Sequence, residues 1–219
     1  MKKILLGLIM LSGLAVTAQD TSEKDPQAKL ILDQLSAKTK TFSSISAEFR
    51  STLVNKAADL NVKQEGKLKM QGEKYRLNLG NHLIISDGTT TWTYSKEDNE
   101  VFIDNNVDID DEDMIKPSEL FTIWESGFKF QYKGEQAVGS KNCDIIHLYP
   151  TDAAKKNFHT IKLYIDKIKL ELVNIEVIGK SGNNYTYALK TFTPNSAVTA
   201  VDFKFNKDNY PAVEEIDNR

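Results

Sequence analysis

From Ile45 almost to its end the chain alternates apolar and polar residues. Ile45, Ala47, Phe49, Ser51 and Leu53 alternate with Ser46, Glu48, Arg50 and Thr52, the period-two pattern of a half-buried β-strand. The alternation recurs at Lys67 to Met70 and Tyr75 to Leu79, on either side of a Gly72 turn. It continues in LIISDGTTTWTYSKEDNEVFI (83–103), where Asp87-Gly88 and Lys96 to Asn99 separate three short strands. Further strands are predicted at Phe128 to Tyr132, Asp144 to Tyr149, Thr160 to Ile165, Glu171 to Ile178, Tyr185 to Phe192 and Asp202 to Phe205. No long helices alternate with them, so a parallel sheet of βαβ units is not expected. The pattern predicts a mainly β fold with one large antiparallel sheet that curls into an unclosed β-barrel.

Two helices accompany it. Asp25-Pro26 reads as an N-cap followed by proline at the first helical position, and Ala28, Ile31, Leu32 and Leu35 then form one apolar stripe. Pro117 opens a second, short segment, SELFTIWES, closed by Gly127, with Leu120, Phe121 and Trp124 on one apolar face. Both helices are expected to lie across the concave face of the sheet.

The N-terminus places the chain outside the cytoplasm. Lys2 and Lys3, the apolar run Ile4 to Leu14 and the small residues of Val16-Thr17-Ala18 predict a cleavable signal peptide over 1–18, with Gln19 starting the mature chain. No cysteine follows the apolar run to take an acyl anchor. Residues 19–219 are then one domain, and loss of the two lysines moves the formal charge from −3 to −5. A mildly acidic chain with no basic cluster beyond Lys155-Lys156 has no footprint for nucleic acid. The single cysteine, Cys143, permits no internal disulfide, so stability must come from a core.

Candidate chemistry is sparse. His82, His147 and His159 have no partners at metal-ligand spacing, and Ser86 in ISDG lacks the frame of a nucleophile elbow. The acidic run DNNVDIDDEDM (104–114) lacks the glycine and terminal glutamate of a calcium loop and reads as solvated. No metal, cofactor or catalytic constellation is expected. What remains is apolar surface. In the middle strand of 83–103, Thr90, Trp92 and Tyr94 share one face and Thr89, Thr91 and Thr93 the other. Trp92 and Tyr94, with Tyr75, Leu77 and Leu79 on the preceding hairpin, are expected to wall an apolar cavity, with Phe121 and Trp124 as its lid. Leu32, Leu35, Phe49, Leu68, Met70 and Ile85 complete the expected lining.

The order of these features resembles the LolA family of periplasmic outer-membrane lipoprotein carriers over nearly the whole mature chain. TFSSISAEF (41–49) is similar to the family's helix followed by a strand bearing Ala-x-Phe, EGKLKM (65–70) to its Gly-x-Leu strand, and KYRLNL (74–79) to the strand after it. ISDGTTTWTY (85–94) is similar to its S-D-G-x-x-x-W-x-Y stretch, and TFTPNSAVTAVDFKF (191–205) to its closing hairpin. The resemblance implies a helical lid over a cavity that takes the acyl chains of triacylated lipoproteins. It also implies loading by an inner-membrane ABC-type lipoprotein-releasing complex, delivery to an outer-membrane acceptor, and a monomer without cofactor. One position departs: where the family's strand commonly runs into Arg-Pro, with the arginine pinning the lid, this chain reads Gly72-Glu73, and Arg76 lies nearby. A carrier of a free lipid or glycolipid, and an envelope lipoprotein sensor module, are the alternatives to a lipoprotein carrier; an enzyme is not expected.

Overall fold

The computed structural model describes residues 25–105 and 121–219. The predicted signal peptide, Pro117 and Leu120 of the second helix, and all but the start of the acidic run lie outside the described residues.

Helix α1 spans Pro26–Thr39. The Asp25 carboxylate accepts from the backbone N–H groups of Gln27 and Ala28 at 2.8 and 3.2 Å, satisfying donors that the first helical turn leaves orphaned. Burial works to raise the Asp25 carboxyl, and the N–H groups of Ala28, Tyr132 and Gln27 outweigh it and hold the group below the usual range. Ala28, Leu32, Leu35 and Ser36 form the buried stripe.

The strands are β1 (Ile45–Asn55), β2 (Leu60–Gln71), β3 (Lys74–Leu79), β4 (His82–Ser86), β5 (Thr90–Ser95) and β6 (Glu100–Asn105). After the second segment come β7 (Phe128–Val138), β8 (Lys141–Pro150), β9 (Phe158–Asp166), β10 (Glu171–Gly179), β11 (Asn184–Pro194) and β12 (Glu214–Asp217). They form one sheet in the order β12-β6-β5-β4-β3-β2-β1-β11-β10-β9-β8-β7. β1 pairs with both β2 and β11, which joins two meanders into a single surface, and β12 and β7 remain as edges, so the sheet is not closed. Among the described residues only the β12–β6 pairing is parallel.

Two expectations are corrected. Asp202 to Phe205 is not a strand: a 3-10 helix runs over Ala200–Phe203. Its capping box decides the local structure, with the Asp202 carboxylate accepting from both the N–H and the hydroxyl of Thr199. The last strand is instead β12, whose sequence EEID shows little alternation because an exposed edge strand is held chiefly by its backbone pairing. The second helix, in its described part, is a single 3-10 turn over Ile123–Glu125. No helix among the described residues is long and apolar enough to cross a membrane.

The sheet buries residues on both faces. On the face covered by α1, a continuous cluster joins Leu32, Leu35 and Trp124 to residues of β1–β3 and β7–β10. On the opposite face the C-terminal segment lies across β4–β6: Phe205, Tyr210 and Val213 pack against Leu83, Ile85, Tyr94 and Val101.

Candidate functional site

The helix face is closed at its centre by α1 and the segment from Phe121 to Glu125. Trp124 is 3% exposed, and its indole N–H donates to the Ser36 hydroxyl at 2.8 Å. Lys40 pairs with Glu125 at 2.8 Å, although half-exposed geometry limits what this ion pair contributes. Phe121 meets Phe192 at 5.7 Å between ring centroids, and Phe42 meets the same ring at 6.0 Å. Farther along α1, the Lys38 ammonium bonds the Lys169 carbonyl and pairs with Glu171 at 3.0 Å. The second segment is thus tied to α1, and α1 to the β9–β10 turn. A cleft of about 470 Å³ runs between α1 and Trp124, lined by Leu32, Ser36 and Phe130 among others. A second, of about 210 Å³, opens beside Phe42, Ile45, Met70 and Phe121.

The residues expected to form one cavity are divided between the two faces. Leu32, Leu35, Leu68, Met70, Tyr75, Leu77, Phe121 and Trp124 are buried together on the helix face, with Phe49 and Leu79 half-buried against them. Ile85, Trp92 and Tyr94 are not on that face. Leu77 pairs with Ile84, and Ile84 with Thr93, so Ile84 and the threonines project toward α1. Ile85 pairs with Trp92, and Leu83 with Tyr94, on the outside. There Tyr94 meets Tyr210 at a tilt of 51°, with ring centroids 4.5 Å apart, and its hydroxyl donates to the Asn99 side chain at 3.1 Å. Asn99 in turn donates to the carbonyl of Ala212 at 3.0 Å. The aromatic face of β5 is therefore covered by the chain's own C-terminal segment. In its place, Ile84, Tyr185, Tyr187 and Phe192 join the helix face. Tyr185 and Tyr187 are signalled by their alternation in NYTYALKTF (184–192), whereas Phe192, out of phase with them, reaches the same face through the register shift opposite Glu48 and Phe49.

The Gly-x-Leu and Ala-x-Phe motifs explain each other. Phe49 and Gly66 face one another across β1 and β2, and the Phe49 ring lies over the glycine where any Cβ would collide with it. Gly66→Ala is expected to force the ring away and cost about 1–3 kcal/mol of stability, measurable by urea unfolding. An unchanged midpoint would mean that the ring adjusts freely.

Arg76 does not stand in for a lid-pinning arginine. It pairs across the sheet with Lys69 and Ile85, on the face away from α1, while its neighbours Tyr75 and Leu77 point inward. The Trp124–Ser36 bond and the Lys40–Glu125 pair hold the second segment instead.

Electrostatics on the outer face fasten the C-terminal segment. Lys69 pairs with Asp202 at 2.6 Å, and this bond, with the Thr199 N–H, holds the Asp202 carboxyl down at about 2. A carboxyl depressed in the folded state adds stability above its unfolded value near 3.8, and that stability is lost as pH falls toward 2. The C-terminal segment is expected to loosen across this window in the wild type but not in Asp202→Asn, as read by amide exchange. Equal exchange profiles in the two proteins would contradict it.

Cys143 and His147 lie on the face of β8 away from α1, on the side opposite Ile146 and Leu148. Burial raises the Cys143 thiol, which disfavours a thiolate, and burial chiefly, with Lys133 and Lys162, lowers His147. Among the described residues no group of three or more His, Cys, Asp or Glu is placed to hold a metal ion. Burial pushes the Tyr187 hydroxyl up to about 12, as an apolar setting on the helix face requires. Such a surface can bind apolar matter.

The family described as Outer membrane lipoprotein carrier protein LolA matches residues 40–206. Among solved structures, an uncharacterized conserved protein from Thermus thermophilus is similar over 88% of this chain and 99% of its own, at 12% identity and a TM-score of 0.55. A putative outer membrane lipoprotein-sorting protein domain from Vibrio parahaemolyticus covers 83% of this chain and 97% of its own at 11% identity, with a TM-score of 0.46. A LolA superfamily protein from Nitrosomonas europaea covers 81% and 97% at 8% identity, with a TM-score of 0.44. The first likeness shows the fold alone. No curated protein matches the chain. The unclosed sheet, the helix across one face and the family match over most of its length together place this chain in the LolA family of outer membrane lipoprotein carrier proteins.

Proposed function

We propose that this protein is a periplasmic carrier. It takes the acyl chains of a triacylated lipoprotein into the helix face of its sheet and moves them from an inner-membrane ABC-type releasing complex to an outer-membrane acceptor. The observation that carries this reading is the buried Trp124–Ser36 bond: two segments that cover a continuous apolar surface are fastened to each other by this hydrogen bond and a half-exposed ion pair. Acyl chains gain about 0.8 kcal/mol per buried methylene, so a chain of about fifteen methylenes represents roughly 12 kcal/mol. A carrier must match much of that burial and still release its cargo. A lid that re-covers the empty surface lowers net affinity by the free energy of opening it. The reading involves no catalysis and no cofactor.

The test is to isolate the tagged mature protein from its native periplasm and identify what accompanies it by mass spectrometry. Acylated lipoproteins in defined stoichiometry support the reading. Free lipid alone moves the cargo to lipids or glycolipids. An empty protein that also extracts no lipoprotein from spheroplasts overturns it.

A further inference from the structure

A cleft of about 460 Å³ opens where β9 begins, β10 ends and β11 begins. Its lining has two halves. Phe158, Val177 and Tyr185 form an apolar floor, and the first two belong to the buried cluster of the helix face. Asn157, Lys180, Ser181 and Asn183 form a polar rim, and among the described residues no carboxylate lines it. The floor continues inward: Tyr185 stacks on Tyr187 at 6.5 Å, and Tyr187 meets Phe49 edge-on at 6.0 Å. Lys38 ties α1 to the first residue of β10, while the cleft opens at that strand's other end, roughly 26 Å away at the usual strand rise.

The rim is built rather than loose. The Gly179 N–H donates to the Asn183 carbonyl at 2.9 Å, and a Cβ on Gly179 would overlap that same oxygen. The Lys180 N–H donates to the Asn157 carbonyl at 2.7 Å. From β1, the Asn55 amide donates to the Asn183 side-chain oxygen at 2.7 Å. The Lys180 ammonium bonds the Ala153 carbonyl, and an ammonium has further protons to donate.

We infer that this cleft is the polar mouth of the acyl site: the hydrocarbon lies over Phe158, Val177 and Tyr185, and the carbonyl-bearing end of the chain stops at Lys180, Asn157, Ser181 and Asn183. The chemistry selects neutral or anionic ends, such as esters, amides and carboxylates, and rejects cationic ones. It rests on the proposed acyl-binding function and adds where the chain's polar end sits.

The test displaces a fluorophore-labelled acyl chain from the mature protein with palmitate or with hexadecylamine, which differ only at the polar end. Wild type is expected to prefer palmitate by about tenfold, the discrimination that a hydrogen bond to a charged group supplies. Lys180→Glu is expected to abolish or reverse that preference, whereas Lys96→Glu, the same charge change in the exposed β5–β6 turn far along the sheet, leaves it intact. A dipalmitoylglyceryl-cysteine peptide as third competitor separates a lipoprotein source from free lipid. If both palmitate and hexadecylamine displace the probe equally and Lys180→Glu changes nothing, the mouth is elsewhere although acyl binding stands. If wild type takes up no probe at all, the carrier function itself fails, and the mouth with it.

Discussion

Trp124→Ala is expected to lower the unfolding free energy by about 3–5 kcal/mol, the range for truncating a buried large aromatic. Trp124 is almost wholly buried, contacts a cluster that includes Leu32 and Phe130, and donates the hydrogen bond to Ser36. Removing the indole opens a cavity at the centre of the helix face and leaves the Ser36 hydroxyl without that donor. Trp124→Phe keeps most of the volume and is expected to lose only about 1–2 kcal/mol, chiefly the hydrogen bond. If acyl chains compete with this segment for the same surface, the milder variant also binds a labelled acyl chain more tightly, because less free energy opposes opening. Urea unfolding and probe titration read the two effects separately. Equal stability loss in both variants would show that the hydrogen bond, which both lose, rather than packing fastens the segment, and no loss in Trp124→Phe would show the reverse.

Phe203→Ala is expected to cost a similar 3–5 kcal/mol by the same cavity argument, from the other side of the sheet. Phe203 is 1% exposed and sits in the 3-10 turn whose Asp202 is gripped by Lys69. This anchor precedes Phe205, Tyr210 and Val213, the residues that cover Ile85 and Tyr94. Its loss should therefore loosen the C-terminal segment as a unit and uncover an apolar patch on β4–β6. Denaturant unfolding gives the stability, and binding of a hydrophobic dye such as ANS reports the patch. A loss below about 1 kcal/mol with no dye binding would mean that the segment is held without Phe203.

The sequence makes α1 and most of the strands legible for physical reasons that also explain the failures. Alternation marks a strand whenever the two faces differ in polarity, and the stripe from Ala28 to Leu35 marks α1 in the same way. Alternation does not say which face is inside. On β5 both sides are covered: Thr91 is fully buried toward the helix face and Tyr94 is 8% exposed on the outer face. A strand buried on both sides has no wet face to orient it, so size alone points the larger residues inward, and in fact they lie outward. The covering of that outer face comes from residues more than a hundred positions later, a pairing that no local pattern records. Asp202 to Phe205 misleads because its alternation suits a strand while the Thr199–Asp202 capping box, a local device, closes a 3-10 turn. The cleft behind Lys180 is not legible at all. It arises from the ends of three strands brought together by the sheet order.

The two tryptophans of the chain lie on opposite faces, which makes one measurement decisive. Brominated palmitate quenches indole emission on contact, so Trp92→Phe reports the helix face through Trp124 and Trp124→Phe reports the outer face through Trp92. An acyl site on the helix face predicts strong, saturable quenching of Trp124 and none of Trp92. Quenching of Trp92 with Trp124 untouched would place the acyl chain under the C-terminal segment and contradict the assignment.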